Sequence, residues 1–201
     1  NKQGRIAADN IAGFPSEYKG TQGSAVLKIF DMTAASTGLN EKTAAAAGID
    51  FDKTYLYLAP HASYYPGGTN MSVKALWDKQ SLRLIGAQIV GFEGVDKRMD
   101  VLASAIRFGA KVTDLAELEL CYAPPFGSAK DPVNMLGFVA ENVASGKMKQ
   151  FFWHDVEHPA GFPAAAAGRN PRRKTGLCPL PQRPALLYCL PHPCRERVRL
   201  L

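Results

Sequence analysis

Two tyrosines stand at similar places in two proline-bounded loops of this chain. Tyr64 lies two residues before Pro66, and Tyr122 lies two residues before Pro124. A proline fixes its own φ angle, lacks an N–H donor and restricts the residue before it, so each phenol is carried by a stiff segment. A phenol can donate a hydrogen bond to a departing thiolate, protonate it, or stabilise an oxygen anion. The residues alone leave two interpretations open: a pair of functional phenols, or ordinary packing of the aromatic rings.

The second of these loops also carries an ammonium group. Pro124 and Pro125 stop any helix or central strand, and Asp131-Pro132 predicts a new helix with Asp131 as its N-cap. Lys130 precedes this start, and a cation beside free backbone N–H groups suits an anion. Lys130 is therefore a candidate substrate-binding residue for an anionic group, and a solvated lysine is the equally open alternative.

Other kinds of chemistry find little support in the sequence. The 201 residues contain no Gly-x-Gly-x-x-Gly phosphate loop, and no acidic residues stand at metal-ligand spacing. Cys121 is the only cysteine before residue 160, which argues against a disulfide-stapled fold and favours a cytoplasmic protein. Because Cys121 lies in an apolar run, we expect it to be buried and structural. No apolar run reaches the ~20 residues of a membrane span.

Two separate motifs resemble one protein family. The run Tyr122-Ala-Pro-Pro-Phe-Gly-Ser-Ala-Lys-Asp-Pro-Val-Asn134 is similar to the signature that closes the dimerisation domain of the pyridine nucleotide-disulfide oxidoreductases. The run Gly4-Arg-Ile-Ala-Ala-Asp-Asn-Ile11 resembles the helix that closes their FAD-binding domain. The resemblance is to the branch with a single redox cysteine: coenzyme A-disulfide reductase, NADH oxidase and NADH peroxidase. It implies an FAD-domain end at 1–20 and a dimerisation domain at 21–148.

The resemblance also implies roles for the residues of the two loops. Tyr64 and Tyr122 would act as catalytic residues across a dimer interface, beside the flavin, the redox cysteine and the bound thiol of the other subunit. Tyr64 and Lys130 would bind substrate, with Lys130 near the phosphates of coenzyme A. Pro60, His61 and Tyr122 would line the cofactor. His61 is either a hydrogen-bond partner near the flavin or an ordinary loop residue.

The whole protein implied by this resemblance is a homodimeric, FAD-dependent NAD(P)H:disulfide oxidoreductase. Coenzyme A disulfide or a persulfide is the expected substrate, and an NADH oxidase or peroxidase is the alternative. The phosphate loops and the redox cysteine of the family are absent from the 201 residues. We therefore expect this chain alone to be inactive. We expect neither nucleic acid nor a membrane among its partners.

The spacing of apolar residues predicts an α+β fold, with an antiparallel sheet of about four strands and helices packed on one side. The segment 33–38 is small and polar, and we expect it to be flexible. Strands are expected at 24–32, 54–59, 71–77 and 82–90, and helices at 1–13, 40–47, 95–108, 113–118 and 133–146.

The chain changes character near its C-terminus. Residues 150–156 resemble the start of a rhodanese domain, but the rest of that domain does not follow. Residues 160–201 hold eight Lys or Arg against one acid, and half of the chain's 14 prolines. We expect 149–201 to be a truncated rhodanese-like start with a Pro/Arg-rich tail that does not build a core. A non-catalytic module that docks its basic tail on nucleic acid is the rival hypothesis.

Overall fold

The computed structural model describes residues 1–152 of the chain. The predicted tail, and most of the stretch that resembles rhodanese, lie outside the described residues. The chain divides into two units, Asn1–Ala140 and Glu141–Leu201. The sheet and all of the predicted site residues belong to the first unit.

A five-stranded antiparallel sheet forms the centre of the first unit. Its order is β1-β2-β5-β4-β3, and every neighbouring pair is antiparallel. This confirms the α+β class, with one strand more than the sequence predicts. The strands are β1 (Ala25–Ile29), β2 (Met32–Gly38), β3 (Phe51–Leu58), β4 (Met71–Asp78) and β5 (Leu84–Gly91).

The additional strand is the segment that the sequence indicates as flexible. The predicted strand 24–32 instead turns at Phe30, whose φ angle is +52°, and the chain returns as β2. The error has a physical cause. Ala35 and Thr37 of β2 are buried, and helix α3 (Val95–Phe108) packs directly on this strand. The small side chains of β2 allow the helix to approach closely; they do not indicate a flexible segment.

The helices begin and end close to the predicted positions. Asn40 caps α2 by accepting a hydrogen bond from the Thr43 backbone N–H at 3.0 Å, and Gly109 ends α3 with φ at +73°. The predicted helix 113–118 is a short 3₁₀ helix, Val112–Glu117. The α-helices are α1 (Lys2–Ile11), α2 (Glu41–Ala46), α3 (Val95–Phe108) and α4 (Pro132–Ala144).

One face of the sheet forms the core beneath α3. Side chains alternate across a strand, so every second residue of the three consecutive strands β3, β4 and β5 points to this face. These positions are almost wholly buried. They are Thr54, Leu56, Val73, Ala75, Trp77, Ala87 and Ile89.

The opposite face of the sheet carries exposed apolar side chains. Cross-strand pairing places one row of residues across all five strands on this face. Leu27, Val90 and Tyr57 in this row are exposed, Leu27 by 59%. Several exposed apolar side chains on one sheet face are typical of an interaction site. The row, called the open-face row below, consists of Leu27, Ala34, Val90, Ser72 and Tyr57.

Within residues 1–152, no helix has both the length and the apolar character needed to cross a membrane.

Candidate functional site

Two loops meet at one end of the sheet. The first loop, residues 59–70, joins β3 to β4, and the second loop, residues 118–131, joins the 3₁₀ helix to α4. The backbone N–H of Ala62 in the first loop donates to the carbonyl of Gly127 in the second at 3.0 Å. In the second loop, Gly127 turns back on the Ala123 carbonyl, also at 3.0 Å. The loops that carry the predicted site are therefore joined directly.

A buried arginine lies beneath both loops. Arg98 of α3 is only 1% exposed. Its Nη2 atom donates to the Pro60 carbonyl at 2.5 Å and to the Asp131 carboxylate at 2.8 Å. Its Nη1 atom donates to the Gly94 carbonyl at 3.1 Å. Arg98 follows a lysine near the start of a helix, which is typical of a solvated position, but its side chain is buried.

The carboxylate partner of Arg98 also begins α4. Asp131 is 3% exposed, and its Oδ1 atom accepts a hydrogen bond from the Val133 N–H at 3.0 Å. This confirms Asp131 as the predicted N-cap. Its second role, the ion pair with an arginine 33 residues earlier in the chain, has no local signal in the sequence.

The structure brings the two predicted catalytic tyrosines together. Tyr64 is 74% exposed and Tyr122 is 51% exposed, so neither ring is simply a core residue. Hydrogen bonding to the Tyr122 phenol raises the pKa of Tyr64 above its ordinary value. Two phenols from loops far apart in sequence therefore interact at the surface. A phenol with a raised pKa remains protonated at neutral pH, as a hydrogen-bond donor must.

A cavity of about 470 Å³ adjoins Tyr122. All three predicted cofactor-binding residues, Pro60, His61 and Tyr122, line it, whereas Tyr64 and Lys130 do not. The lining also includes the apolar Pro125 and Phe126 of the second loop and the charged Lys97 and Arg98 of α3. The cavity is thus built from both loops and from the first turn of α3.

His61 is buried in the wall of this cavity. Its Nδ1 atom lies 3.0 Å from the Ala62 carbonyl, and its ring packs edge-on against Tyr65 with centroids 5.5 Å apart. A Cβ atom at Gly68 would stand only 2.9 Å from the imidazole, so a glycine leaves room for the ring. Packing fixes His61 in one orientation, which favours a structural part in the site over that of a mobile loop residue.

Lys130 lies apart from the cavity. Within the described residues its ammonium has no ion pair, and its backbone N–H donates to Ser128 Oγ at 3.3 Å. One backbone donor of the nearby helix start is already used, because Val133 donates to Asp131. Lys130 therefore offers an exposed cation beside a helix start at which the Val133 N–H is already bonded.

The prediction for Cys121 is wrong. The thiol is free and the residue is exposed, because the apolar run that contains it continues into a loop rather than into the core. Lys97 donates to the Cys121 carbonyl at 3.4 Å, which links α3 to the residue beside Tyr122. In the part of the chain that the structure describes, no three His, Cys, Asp or Glu side chains cluster to hold a metal ion.

Comparison with known proteins identifies the family to which this chain belongs. Residues 24–132 match the model of the pyridine nucleotide-disulphide oxidoreductase dimerisation domain. The chain belongs to this family, as the two sequence motifs predict.

Among the relatives of this chain are coenzyme A disulfide reductases. The chain is 39% identical over 137 residues to a coenzyme A disulfide reductase of Staphylococcus epidermidis, a match that covers 68% of this chain and 31% of that enzyme. It spans about three-tenths of the length of the curated relatives it matches.

Solved structures show the same fold. Reduced Bacillus anthracis CoADR-RHD superimposes with a TM-score of 0.77 at 44% identity, covering 84% of this chain and 29% of that one. A NAD-dependent persulfide reductase from A. fulgidus gives 0.72 at 41% identity, covering 75% and 28%. A water-forming NADH oxidase from Lactobacillus brevis gives 0.68 at 23% identity, covering 72% and 32%, which shows the fold alone.

Proposed function

We propose that this chain is the dimerisation part of an FAD-dependent NAD(P)H:disulfide oxidoreductase that acts on coenzyme A disulfide or a related persulfide. The observation that carries the proposal is the pair of exposed phenols, Tyr64 and Tyr122, on stiff loops, with Tyr122 lining a cavity. The identity to a coenzyme A disulfide reductase and to a persulfide reductase favours these substrates. The oxidase alternative has only a shared fold in its support.

The residues of the cavity fit the edge of a flavin but not its phosphates. Pro60 and Tyr122 offer apolar surface, and His61 offers an imidazole held by packing. The sequence has no glycine-rich phosphate loop, so other parts of a longer protein would hold FAD and NAD(P)H. When bound, the flavin supplies the electron transfer that reduces a disulfide, with the nicotinamide as hydride donor.

The chemical task of this chain's own residues is to manage the leaving thiolate. Reductive cleavage of a disulfide releases a thiolate, which a nearby phenol stabilises by donating a hydrogen bond or a proton. Tyr64 is protonated at neutral pH and interacts with Tyr122, so the pair presents a donor in a defined place. The exposed Lys130 ammonium is available for the phosphates of a coenzyme A group.

We also propose that the open-face row forms the two-fold interface with a second copy of the chain. Tyr57 of this row lies one residue before the end of β3, where the first loop begins. An interface on this face therefore borders the loop that carries Tyr64. A stable interface buries about 800 Å² on each partner, and Leu27, Val90 and Tyr57 offer exposed apolar side chains for one. The tyrosines would then act on the site of the opposite subunit.

The catalytic part of the proposal is tested in the full-length protein. Tyr64→Phe and Tyr122→Phe remove one hydroxyl each and keep the rings. We expect the double variant to lose a factor of about 10² to 10⁴ in turnover of coenzyme A disulfide, the usual contribution of a positioned acid. Tyr65→Phe is the matched control, since Tyr65 contacts His61 with its ring, and it should retain activity. Wild-type turnover in the double variant would reject the proposed role.

The interface is tested by light scattering on the 201-residue chain over a concentration series. Leu27→Asp places a charge on the open face, and we expect it to convert a dimer to a monomer. Lys28→Asp is the matched control, because the next residue of β1 points to the other face. A chain that stays monomeric at high concentration, or a dimer that tolerates Leu27→Asp, would contradict this interface.

A further inference from the structure

We infer that Arg98 is the positioning residue of the tyrosine pair. Its guanidinium bonds the Pro60 carbonyl, where the first loop begins, and the Asp131 carboxylate, where the second loop ends. By holding both loops on α3, it sets where Tyr64 and Tyr122 meet. The catalytic meaning of this placement rests on the proposed function, whereas the placement itself is a property of this chain.

The contacts of Arg98 need the shape of a guanidinium. Three acceptors on three different segments receive its N–H groups: the carbonyls of Gly94 and Pro60, and the carboxylate of Asp131. A planar fork reaches them at once, which the compact ammonium of a lysine does not. A Cβ atom at Gly94 would stand 2.1 Å from Nη1, so a glycine there makes room for the guanidinium.

The same turn of α3 is linked to the backbone of both loops that carry the phenols. Tyr64 lies four residues beyond Pro60, and the backbone bond from Ala62 to Gly127 ties that stretch to the second loop. Next to Tyr122, the Cys121 carbonyl accepts a hydrogen bond from Lys97. The exposed ends of both loops are therefore attached to buried groups, among them the ion pair of Arg98 with Asp131.

The test is a titration of Tyr64 by NMR in the 201-residue chain carrying isotope-labelled tyrosine. The test variant is Arg98→Met with Asp131→Asn, which removes both buried charges together and keeps an N-cap acceptor. Glu41→Gln is the control, because it breaks an ion-pair cluster on the other face of the sheet. We expect the pKa of Tyr64 to fall to the ordinary tyrosine value in the double variant and to stay raised in the control.

Two outcomes would overturn the inference. One is a folded double variant in which Tyr64 titrates as in the wild type. The other is an equal fall of the Tyr64 pKa in Glu41→Gln, which would show general loosening instead of positioning. Arg98→Lys serves if the double variant does not fold, because it keeps the buried positive charge but lacks the planar fork, and an intermediate shift is expected there. Because this readout needs no turnover, it can succeed or fail independently of the Tyr→Phe activity test of the proposed function.

Discussion

Two ionic clusters attach helices of this protein to the rest of the fold, and they differ in their access to water. In the first, the side chains of Arg98 and Asp131 are 2% and 4% exposed. In the second, the Glu41 carboxylate of α2 binds Lys53 and Lys74 on the open face of the sheet, with 31% of the Glu41 side chain exposed. The cluster closed to water supports the tyrosine loops, and the wetter one attaches a short helix.

The difference in exposure changes what each cluster does. A buried charge that loses its partner has no water to replace it, so the Arg98 pair strongly fixes the groups around it. A partly exposed pair is screened by solvent and contributes less. Similar ion-pair chemistry thus positions a site in one place and adds modest stability in another.

The wetter cluster nevertheless has a clear electrostatic signature. Burial alone would raise the pKa of Glu41, but hydrogen bonds from Lys53, Lys74 and Tyr55 outweigh it and lower the pKa to about 2. Burial, together with the hydrogen bond to Glu41, raises the pKa of Tyr55 to about 12. The carboxylate is therefore ionised and the phenol protonated at neutral pH.

The largest expected effect comes from Arg98→Met. It leaves the Asp131 carboxylate buried without its cation, and we expect the free energy of unfolding to fall by about 3–5 kcal/mol. Urea unfolding of the 201-residue chain measures this. Adding Asp131→Asn to the same variant removes the unpaired charge and should recover much of the loss. If Arg98→Met lowers the free energy of unfolding by less than ~1 kcal/mol, the Arg98–Asp131 pair contributes no more than an ordinary surface ion pair.

A smaller effect is expected from Glu41→Gln. The variant keeps hydrogen-bonding capacity but removes the charge that attracts Lys53 and Lys74, and solvent already screens this site. We expect a loss of about 1 kcal/mol in the same urea experiment. If Glu41→Gln lowers the free energy of unfolding as much as Arg98→Met does, exposure to water does not decide how much each cluster contributes.

The smallest effect is a dependence of stability on acid. The pKa of Glu41 is lower in the folded chain, about 2, than its ordinary value of 4.5. Its contribution is therefore present above about pH 4.5 and lost as the pH falls towards 2. The difference in unfolding free energy between wild type and Glu41→Gln should shrink across this range. A difference that does not change with pH would mean that the pKa of Glu41 is the same in the folded and the unfolded chain, which would contradict the lowered value.

Much of the fold and part of the site could be predicted from the sequence. Alternation gave β3 to β5, and the periodic apolar residues and the terminal glycine gave α3. The motif at Tyr122–Asn134 gave the family, and through it the expectation that Tyr64 and Tyr122 serve one site. These features could be predicted because each depends on a local pattern of residues or on a long motif that the family shares.

The rest depends on contacts between distant segments. Arg98 follows a lysine near the start of a helix, a typical solvated position, and its acceptors are two carbonyls and a carboxylate 33 residues away. The small residues of β2 resemble a flexible link until a helix is known to cover them. Hydrophobic neighbours suggested burial of Cys121, but the chain had already left the core there.

The central claim, that Tyr64 and Tyr122 act on the opposite subunit, is most directly tested with a mixed dimer of the full-length protein. One subunit carries Tyr64→Phe and Tyr122→Phe. The other carries intact tyrosines but lacks the redox cysteine that the family resemblance places in the flavin-binding part. Action across the interface leaves one complete site, so turnover should return to about half of the wild-type value. A mixed dimer as inactive as either parent would contradict the account, because it would place the tyrosines and the cysteine of one site on the same subunit.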